Sequence, residues 1–216
     1  MIYEIPPEGA SLRQGDIFVG LPRVDISLQR VPVVTQDDEQ IEMTWDDVVR
    51  DGNRVTAILA VQPVVAIVVS QDCDATRAPD ITLCEVRKFR EVEKKCANTT
   101  APAKWVDIIT QQARLNQKWF YLPPDPQVGF QDKMGVDFYV TIRVPRQDLD
   151  GLRRLRRGRL NEIARAHFRE RIAEFFRRYP YDEWYPLNAE EMTQYQKSHP
   201  DAEAYPWQTI AHLGDG

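Results

Sequence analysis

The stretch Val64-Val65-Ala66-Ile67-Val68-Val69-Ser70, followed at once by Gln71-Asp72-Cys73-Asp74, decides the fold of this chain. Its six apolar residues show no polar alternation, which is typical of a strand buried on both faces of a sheet. The four residues after it are of types that begin turns. We therefore expect a central β-strand that ends in a polar turn.

The chain as a whole has the composition of a globular protein. Of its 216 residues, 43% are hydrophobic and 28% are charged, far from the low hydrophobicity of disordered chains. No apolar run approaches the roughly 18 residues of a membrane span. The N-terminus, Met-Ile-Tyr-Glu-Ile, lacks the basic and apolar regions of a signal peptide. We therefore predict a cytoplasmic protein that makes no membrane contact.

The cysteines argue against a disulfide framework and against a zinc site. Only three occur, Cys73, Cys84 and Cys96, without a C-x-x-C pair, and all three histidines lie more than 70 positions beyond the last of them. A disulfide framework needs paired cysteines, and a structural zinc site needs four Cys or His ligands, usually in local pairs. We predict neither a metal nor a cofactor.

Shorter runs on both sides of the central stretch set the predicted architecture. Strands are predicted in 17–21, 81–87, 118–122 and 136–144, and helices in 103–114, 160–179 and 189–197. The longest helix repeats its apolar residues at helical spacing, with Asn161 as its cap. We expect an α+β fold, in which a small β-barrel or sandwich carries a long C-terminal amphipathic helix and short accessory helices. The predicted domains are a β-barrel-like domain with a helical insertion, 1–145, and a C-terminal helical region that packs on it, 146–216.

Three segments resemble the MazF/PemK-type toxins, a family of endoribonucleases with a small SH3-like barrel. Gln14–Phe18 is similar to the family's Arg-Gly-Asp-Ile-Val opening, and Val64–Ser70 is similar to its apolar strand that ends in serine. Ile81–Val86 matches a later strand more loosely. The resemblance is limited to the N-terminal half of the chain and implies the barrel fold.

The catalytic features of that family are not matched. The family has a Gly/Glu/Arg loop between its first two strands, whose arginine acts on the scissile phosphate, and the interval Pro22–Gln62 contains no such run. The family's Pro-(Ile/Thr)-Thr segment is also absent, and Thr82 is only a weak substitute for it. The resemblance therefore does not by itself imply ribonuclease activity.

The polar turn after the central strand is the first candidate site. In one interpretation Cys73 is a small buried residue and Asp74 caps the turn by accepting a backbone N–H. In another, Asp72 and Asp74 join Asp16 in an acidic cluster at the barrel rim, and carboxylate oxygens of this kind bind divalent cations. No histidine lies near the thiol in sequence to activate it. The catalytic candidates stay open, and they are Asp16, Ser70, Asp72, Cys73 and Asp74.

The second candidate site is a basic run. Between residues 146 and 178 there are eleven arginines and five acids, in a chain whose net charge is −5. Pairing with acids at helical spacing accounts for Arg165 and Arg169 but not for the densest part of the run. Arginine favours bidentate contact with phosphate or carboxylate. We expect the following side chains to contact RNA or an acidic protein partner: Arg153, Arg154, Arg156, Arg157 and Arg159.

The leading functional hypothesis is a non-catalytic binding module of a bacterial stress-response or phage-defence system, which contacts RNA or an acidic protein through these arginines. One alternative is a diverged MazF/PemK-like endoribonuclease toxin, of the kind found in toxin–antitoxin pairs, with its site at the barrel rim. Another is a structural subunit of a larger complex. The sequence leaves open whether the protein is an enzyme and what its oligomeric state is.

Overall fold

The structure, a computed structural model, has a mixed α+β fold built on a large antiparallel sheet. It describes residues 2–35, 37–52, 54–94, 101–115, 118–176 and 189–201. The chain forms two compact units, Met1–Phe176 and Arg177–Gly216. The domain boundary expected at residue 145 lies inside the first unit, where a strand is followed directly by a helix.

The elements of the first unit follow one another along the chain with short connections. They are β1 (Tyr3–Glu4), β2 (Asp16–Val24), β3 (Val31–Val34), β4 (Gln40–Met43), α1 (Trp45–Asp51), β5 (Thr56–Ala57), β6 (Val61–Val68), α2 (Asp72–Arg77), β7 (Asp80–Lys88), α3 (Phe89–Val92), α4 (Pro102–Leu115), β8 (Trp119–Leu122), β9 (Met134–Pro145), α5 (Arg146–Gly151), β10 (Arg156–Leu160) and α6 (Glu162–Phe176). The second unit contains α7 (Ala189–Ser198).

The predicted central strand is confirmed as β6. It is the fourth of seven strands in the large sheet, whose order is β1-β10-β2-β6-β7-β9-β8 with antiparallel pairing throughout. Ile67 packs in a core on one face of the sheet, whereas Ala66 and Val68 pack in a second core on the other face. The unbroken apolar run is therefore explained by burial on both faces.

The large sheet is not closed, so the expected SH3-like barrel is not confirmed. Its edge strands, β1 and β8, form no ladder with each other among the described residues. The region 146–216 was expected to be helical, but Arg156–Leu160 forms β10 and pairs with both β1 and β2. This strand is short and rich in arginine, and it has no apolar alternation that would distinguish it from a surface segment.

A smaller sheet, with strand order β4-β3-β5, lies between β2 and β6 in the sequence. Helix α1 supplies Val48 to its core, which also contains Val31 and Val33. Thr44 begins this helix, because its side chain accepts a hydrogen bond from the backbone N–H of Asp47 at 3.2 Å in a capping box. The insertion therefore has a core of its own.

The long predicted helix is confirmed as α6, and its last predicted residues, 177–179, lie outside the described residues. Asn161 caps it by accepting a hydrogen bond from the backbone N–H of Ala164 at 2.9 Å. Phe168 is fully buried, and its ring centroid lies 5.1 Å from that of Phe120 on β8 and 5.9 Å from that of Phe138 on β9. The helix therefore covers one face of the sheet through its apolar side.

The remaining predicted elements are also present. Helix α4 and strands β8 and β9 occupy the predicted positions, and β8 pairs with β9 as a neighbouring strand. Trp119 of β8 donates its indole N–H to the buried carboxylate of Glu93 at 3.1 Å. Among the described helices, none is long and apolar enough to cross a membrane.

Candidate functional site

A cleft opens where β6 ends and α2 begins, and we call it the β6 cleft. Its volume is about 850 Å³, which is in the range of small-molecule sites. It is lined by Gln14, just before β2, by the whole 69–74 segment, by Thr82 on β7, and by the last two turns of α6. Four of the five catalytic candidates therefore line one cleft, namely Ser70, Asp72, Cys73 and Asp74.

Asp72 is the residue that ties the walls of the cleft together. One carboxylate oxygen accepts a hydrogen bond from the backbone N–H of Gln14 at 2.9 Å, and the other accepts a hydrogen bond from Nη2 of Arg169 at 2.6 Å. Arg165 lies one helical turn earlier, with Nη1 at 3.7 Å from the same carboxylate. The charge of Asp72 is thus balanced by two arginines of α6, which fixes that helix against the start of α2.

Gln14 and Arg169 complete this network. The amide nitrogen of the Gln14 side chain donates to the carbonyl of Val69 at 2.7 Å, and its amide oxygen accepts Nε of Arg169 at 2.8 Å. Gln14 is buried, whereas the side chain of Arg169 is 46% exposed. The buried amide therefore orients a guanidinium that remains accessible from the cleft.

Ser70 and Thr82 form the floor of the cleft. The backbone N–H of Thr82 donates to Oγ of Ser70 at 2.9 Å, and the carbonyl of Thr82 accepts the N–H of Ser70 at 3.2 Å. The serine oxygen is thus fixed by the neighbouring strand, and its O–H donates to no residue in the part of the chain that the structure describes.

Cys73 and Asp74 differ from their predicted structural roles. Cys73 is exposed rather than buried, because it lies in the first turn of α2 and not at the end of β6. Asp74 does not begin the helix either, since Gln71 occupies the N-cap position and makes no cap hydrogen bond through its side chain. Asp74 is exposed at the cleft and forms no ion pair among the described residues. Both groups are therefore accessible to a ligand.

Cys84 contributes no accessible thiol to the cleft. Cys84 is buried in the core beneath α6, and burial together with the negative charge of Asp137 raises the pKa of its thiol to about 12. It therefore stays protonated at neutral pH. Cys96 lies outside the described residues.

Part of the cleft lining is apolar, and we call it the apolar wall. It consists of Val69, Ile172, Ala173 and Phe176, and Phe176 is 73% exposed. The three α6 residues of this wall lie at helical spacing on the same face as Arg169, and Val69 directly precedes the polar 70–74 segment. The cleft therefore places apolar side chains beside hydrogen-bonding groups of both kinds.

Asp16 lies elsewhere, so the alternative interpretation of an acidic cluster with Asp72 and Asp74 does not hold. Asp16 is fully buried. One of its carboxylate oxygens lies 3.1 Å from Nη1 of Arg156, and the other lies 2.5 Å from Nε of Arg159. The side chains of both arginines are also buried. The two guanidinium groups also donate to backbone carbonyls of the N-terminal loop, those of Pro7, Glu8, Ala10 and Ser11.

This ion network stands where the alternative interpretation placed a cation site. The described residues contain no group of three or more His, Cys, Asp or Glu side chains that is arranged to hold a metal ion. The charge of Asp16 is instead compensated by guanidinium groups, and two buried arginines fix the 7–11 loop to the sheet. The role of Asp16 is therefore structural.

The five arginines of the 153–159 run do not share one surface. Two of them are buried against Asp16, as described above. Arg153 forms an ion pair with Asp150 of α5, with 2.6 Å between Nη2 and Oδ1. Arg154 and Arg157 are exposed. Only part of the predicted basic surface is therefore available to a partner.

Comparisons with protein families, with curated proteins and with solved structures found no match to this chain. No local sequence pattern places Gln14 or Arg169 in the β6 cleft. Arg165 and Arg169 share a helix face by spacing, but their partner Asp72 is 97 residues from Arg169 in the sequence.

Proposed function

We propose that this chain is an RNA-binding module that holds one nucleotide in the β6 cleft. The observation that carries the proposal is that apolar and hydrogen-bonding side chains line the same cleft. A base of single-stranded RNA has an apolar face that stacks and a polar edge that forms hydrogen bonds. The cleft offers a matching surface for each.

The apolar wall fits the face of a base. Phe176 presents an exposed ring next to Ile172 and Val69. Stacking of a base on an aromatic side chain contributes about 1–3 kcal/mol by alanine substitution. An exposed ring at this position can therefore contribute one base stack to the affinity.

The hydrogen-bonding groups of the cleft fit the base edge and the phosphate. Gln71 and Asp74 offer an amide and a carboxylate at the surface, and Ser70 offers a hydroxyl. Arg169 uses Nε and Nη2 to bind Gln14 and Asp72. Its Nη1 forms no hydrogen bond among the described residues, and a guanidinium held in this way suits a phosphate oxygen.

The resemblance to MazF/PemK-type proteins is part of the proposal. The three segments that carry it lie on neighbouring strands of the sheet, β2, β6 and β7. We interpret the sheet as an opened and enlarged derivative of an SH3-like barrel. On the basis of this resemblance we propose a cytoplasmic RNA-binding role in bacterial stress response or phage defence.

The test is the affinity for a labelled single-stranded RNA of about 12 nucleotides, a length within the range that such sites cover. Phe176→Ala is expected to weaken binding by about 5- to 100-fold, the equivalent of one lost base stack. Ile163→Ala is the matched control, because Ile163 is an equally exposed apolar residue of α6 outside the cleft. Equal affinities of the two variants, or no binding by the wild-type chain, would contradict the proposal.

Endoribonuclease activity is the second candidate, and one observation favours it. The carboxylate of Asp74 and the guanidinium of Arg169 line the same cleft. Cleavage of RNA needs a positioned base to take a proton and a cation to stabilise charge on the phosphate. In the same samples, gel analysis shows whether the RNA stays intact. If the wild-type chain cleaves it and Asp74→Asn does not, the module is an enzyme.

A further inference from the structure

A second polar surface lies away from the β6 cleft, where two adjoining depressions share Lys88 and Asp132. Their volumes are about 600 and 330 Å³. Four cationic side chains line them, and we call the combined surface the basic groove: Lys88, Arg90, Lys133 and Arg157.

The basic groove has an excess of positive charge in an acidic protein. Asp132 is the one carboxylate among its lining residues, and it pairs with Lys88 at 3.0 Å. Arg90, Lys133 and Arg157 are exposed and form no ion pair with any described residue. Three positive charges are therefore left uncompensated, in a chain whose net charge is −5.

One end of the groove is preorganised. The ammonium of Lys133 lies 4.9 Å from the ring centroid of Trp105, and the guanidinium of Arg90 lies 5.9 Å from it. The Trp105 ring is itself buried and packs on Phe89 with a centroid distance of 5.8 Å. Cation–π contact with a fixed ring restrains two long side chains that would otherwise be mobile.

The groove is long enough for more than one phosphate. Arg157 lies on β10 and Lys88 at the end of β7, and strands β2 and β6 separate them. Three strand spacings correspond to roughly 14 Å. Val19 and Val65 of the intervening strands form an apolar floor between the two cations.

We propose that the basic groove binds the phosphate backbone of single-stranded RNA, an inference that rests on the RNA-binding function proposed for the β6 cleft. The charge favours a polyanion. The apolar floor and the amides of Gln127 and Gln131 favour RNA over an acidic polypeptide. Exposed bases can pack on an apolar surface with their faces and form hydrogen bonds to amides with their edges. Of the predicted arginine run, Arg157 is the member that serves this contact.

The experiment measures the affinity for the same labelled RNA as a function of salt concentration. The groove variant Arg90→Ser/Lys133→Ser/Arg157→Ser is expected to lower the affinity at about 50 mM salt by roughly 10- to 100-fold. The slope of log affinity against log salt should fall by about 2, because each phosphate contact on a single strand contributes about 0.7. The single variant Arg157→Ser should lower the slope by about 0.7.

The matched control is Arg30→Ser/Arg50→Ser/Arg54→Ser, which removes the same charge from the insertion around the small sheet. It should keep the wild-type slope. If the control and the groove variant lose affinity equally, the groove inference is wrong, whereas the cleft proposal stands as long as Phe176→Ala still weakens binding. If the wild-type chain binds no RNA, both proposals fail. Stronger competition by polyglutamate than by unlabelled RNA would overturn the choice of RNA as the ligand of the groove.

Discussion

Replacing Asp16 with alanine is expected to lower the free energy of unfolding by about 3–5 kcal/mol. The carboxylate is fully buried and compensates two arginines whose side chains are also buried, Arg156 and Arg159. Without it, two positive charges remain in the interior of the sheet. The loop that these arginines hold through backbone carbonyls should loosen as well.

Urea denaturation followed by circular dichroism measures this loss. In thermal unfolding, each kcal/mol of lost stability lowers the melting temperature of a chain of this size by about 2–4 °C, so we expect a fall of about 10 °C. Asp74→Ala is the control, because it removes an exposed carboxylate without an ion pair among the described residues and should change stability by less than about 0.5 kcal/mol. Similar losses for the two variants would show that the network around Asp16 does not stabilise the fold.

Phe168→Ala is expected to have a comparable effect for a different reason. The ring is fully buried and holds α6 against Phe120 and Phe138 of the sheet. Truncating a buried phenylalanine costs about 3–5 kcal/mol, through lost burial and the cavity that remains. Because Arg165 and Arg169 belong to the same helix, the β6 cleft should lose its order together with stability.

The same denaturation measurement tests this effect, with Ile163→Ala as the control. Ile163 lies on α6 but is 72% exposed, so its truncation should cost less than about 0.5 kcal/mol. A loss of stability for Phe168→Ala no greater than that of the control would mean that α6 is not held by this ring. If a destabilised Phe168→Ala variant keeps its RNA affinity, the order of the β6 cleft does not depend on the packing of α6.

The elements that could be predicted from the sequence are those whose signal is local. The apolar run of β6 indicates burial on both faces without knowledge of its neighbours. Asn161 followed by apolar residues at helical spacing indicates the start of α6. In both cases the residues that decide the element lie within it.

Strand β10 and the open sheet could not be predicted, because their determinants lie far apart in the chain. In the sequence, Arg156 and Arg159 resemble residues of a charged surface, because their partner Asp16 precedes Arg159 by 143 residues. The barrel followed from the resemblance of three neighbouring strands. The strands added at both edges are outside that resemblance.

The candidate site was predicted only in part for the same reason. The 70–74 segment is recognisable in the sequence as polar and close to a strand end, and all five of its residues line the β6 cleft. The roles of Gln14 and Arg169 depend on contacts between distant segments, and Phe176 reads in the sequence as one more apolar position of α6. Sequence pattern does not show which apolar residue of a helix remains exposed.

The pairing of β1 and β2 with β10 also constrains how the protein is made. Tyr3 pairs with Leu160, and Asp16 pairs with Arg159. At the usual rate of about 5–20 residues per second, the ribosome needs roughly 7–30 s to reach Arg159 after it has made Asp16. Throughout that interval the aspartate lacks the arginines that compensate it, and the first strands lack a partner along one edge. The large sheet is therefore completed only when the second half of the chain has left the ribosome.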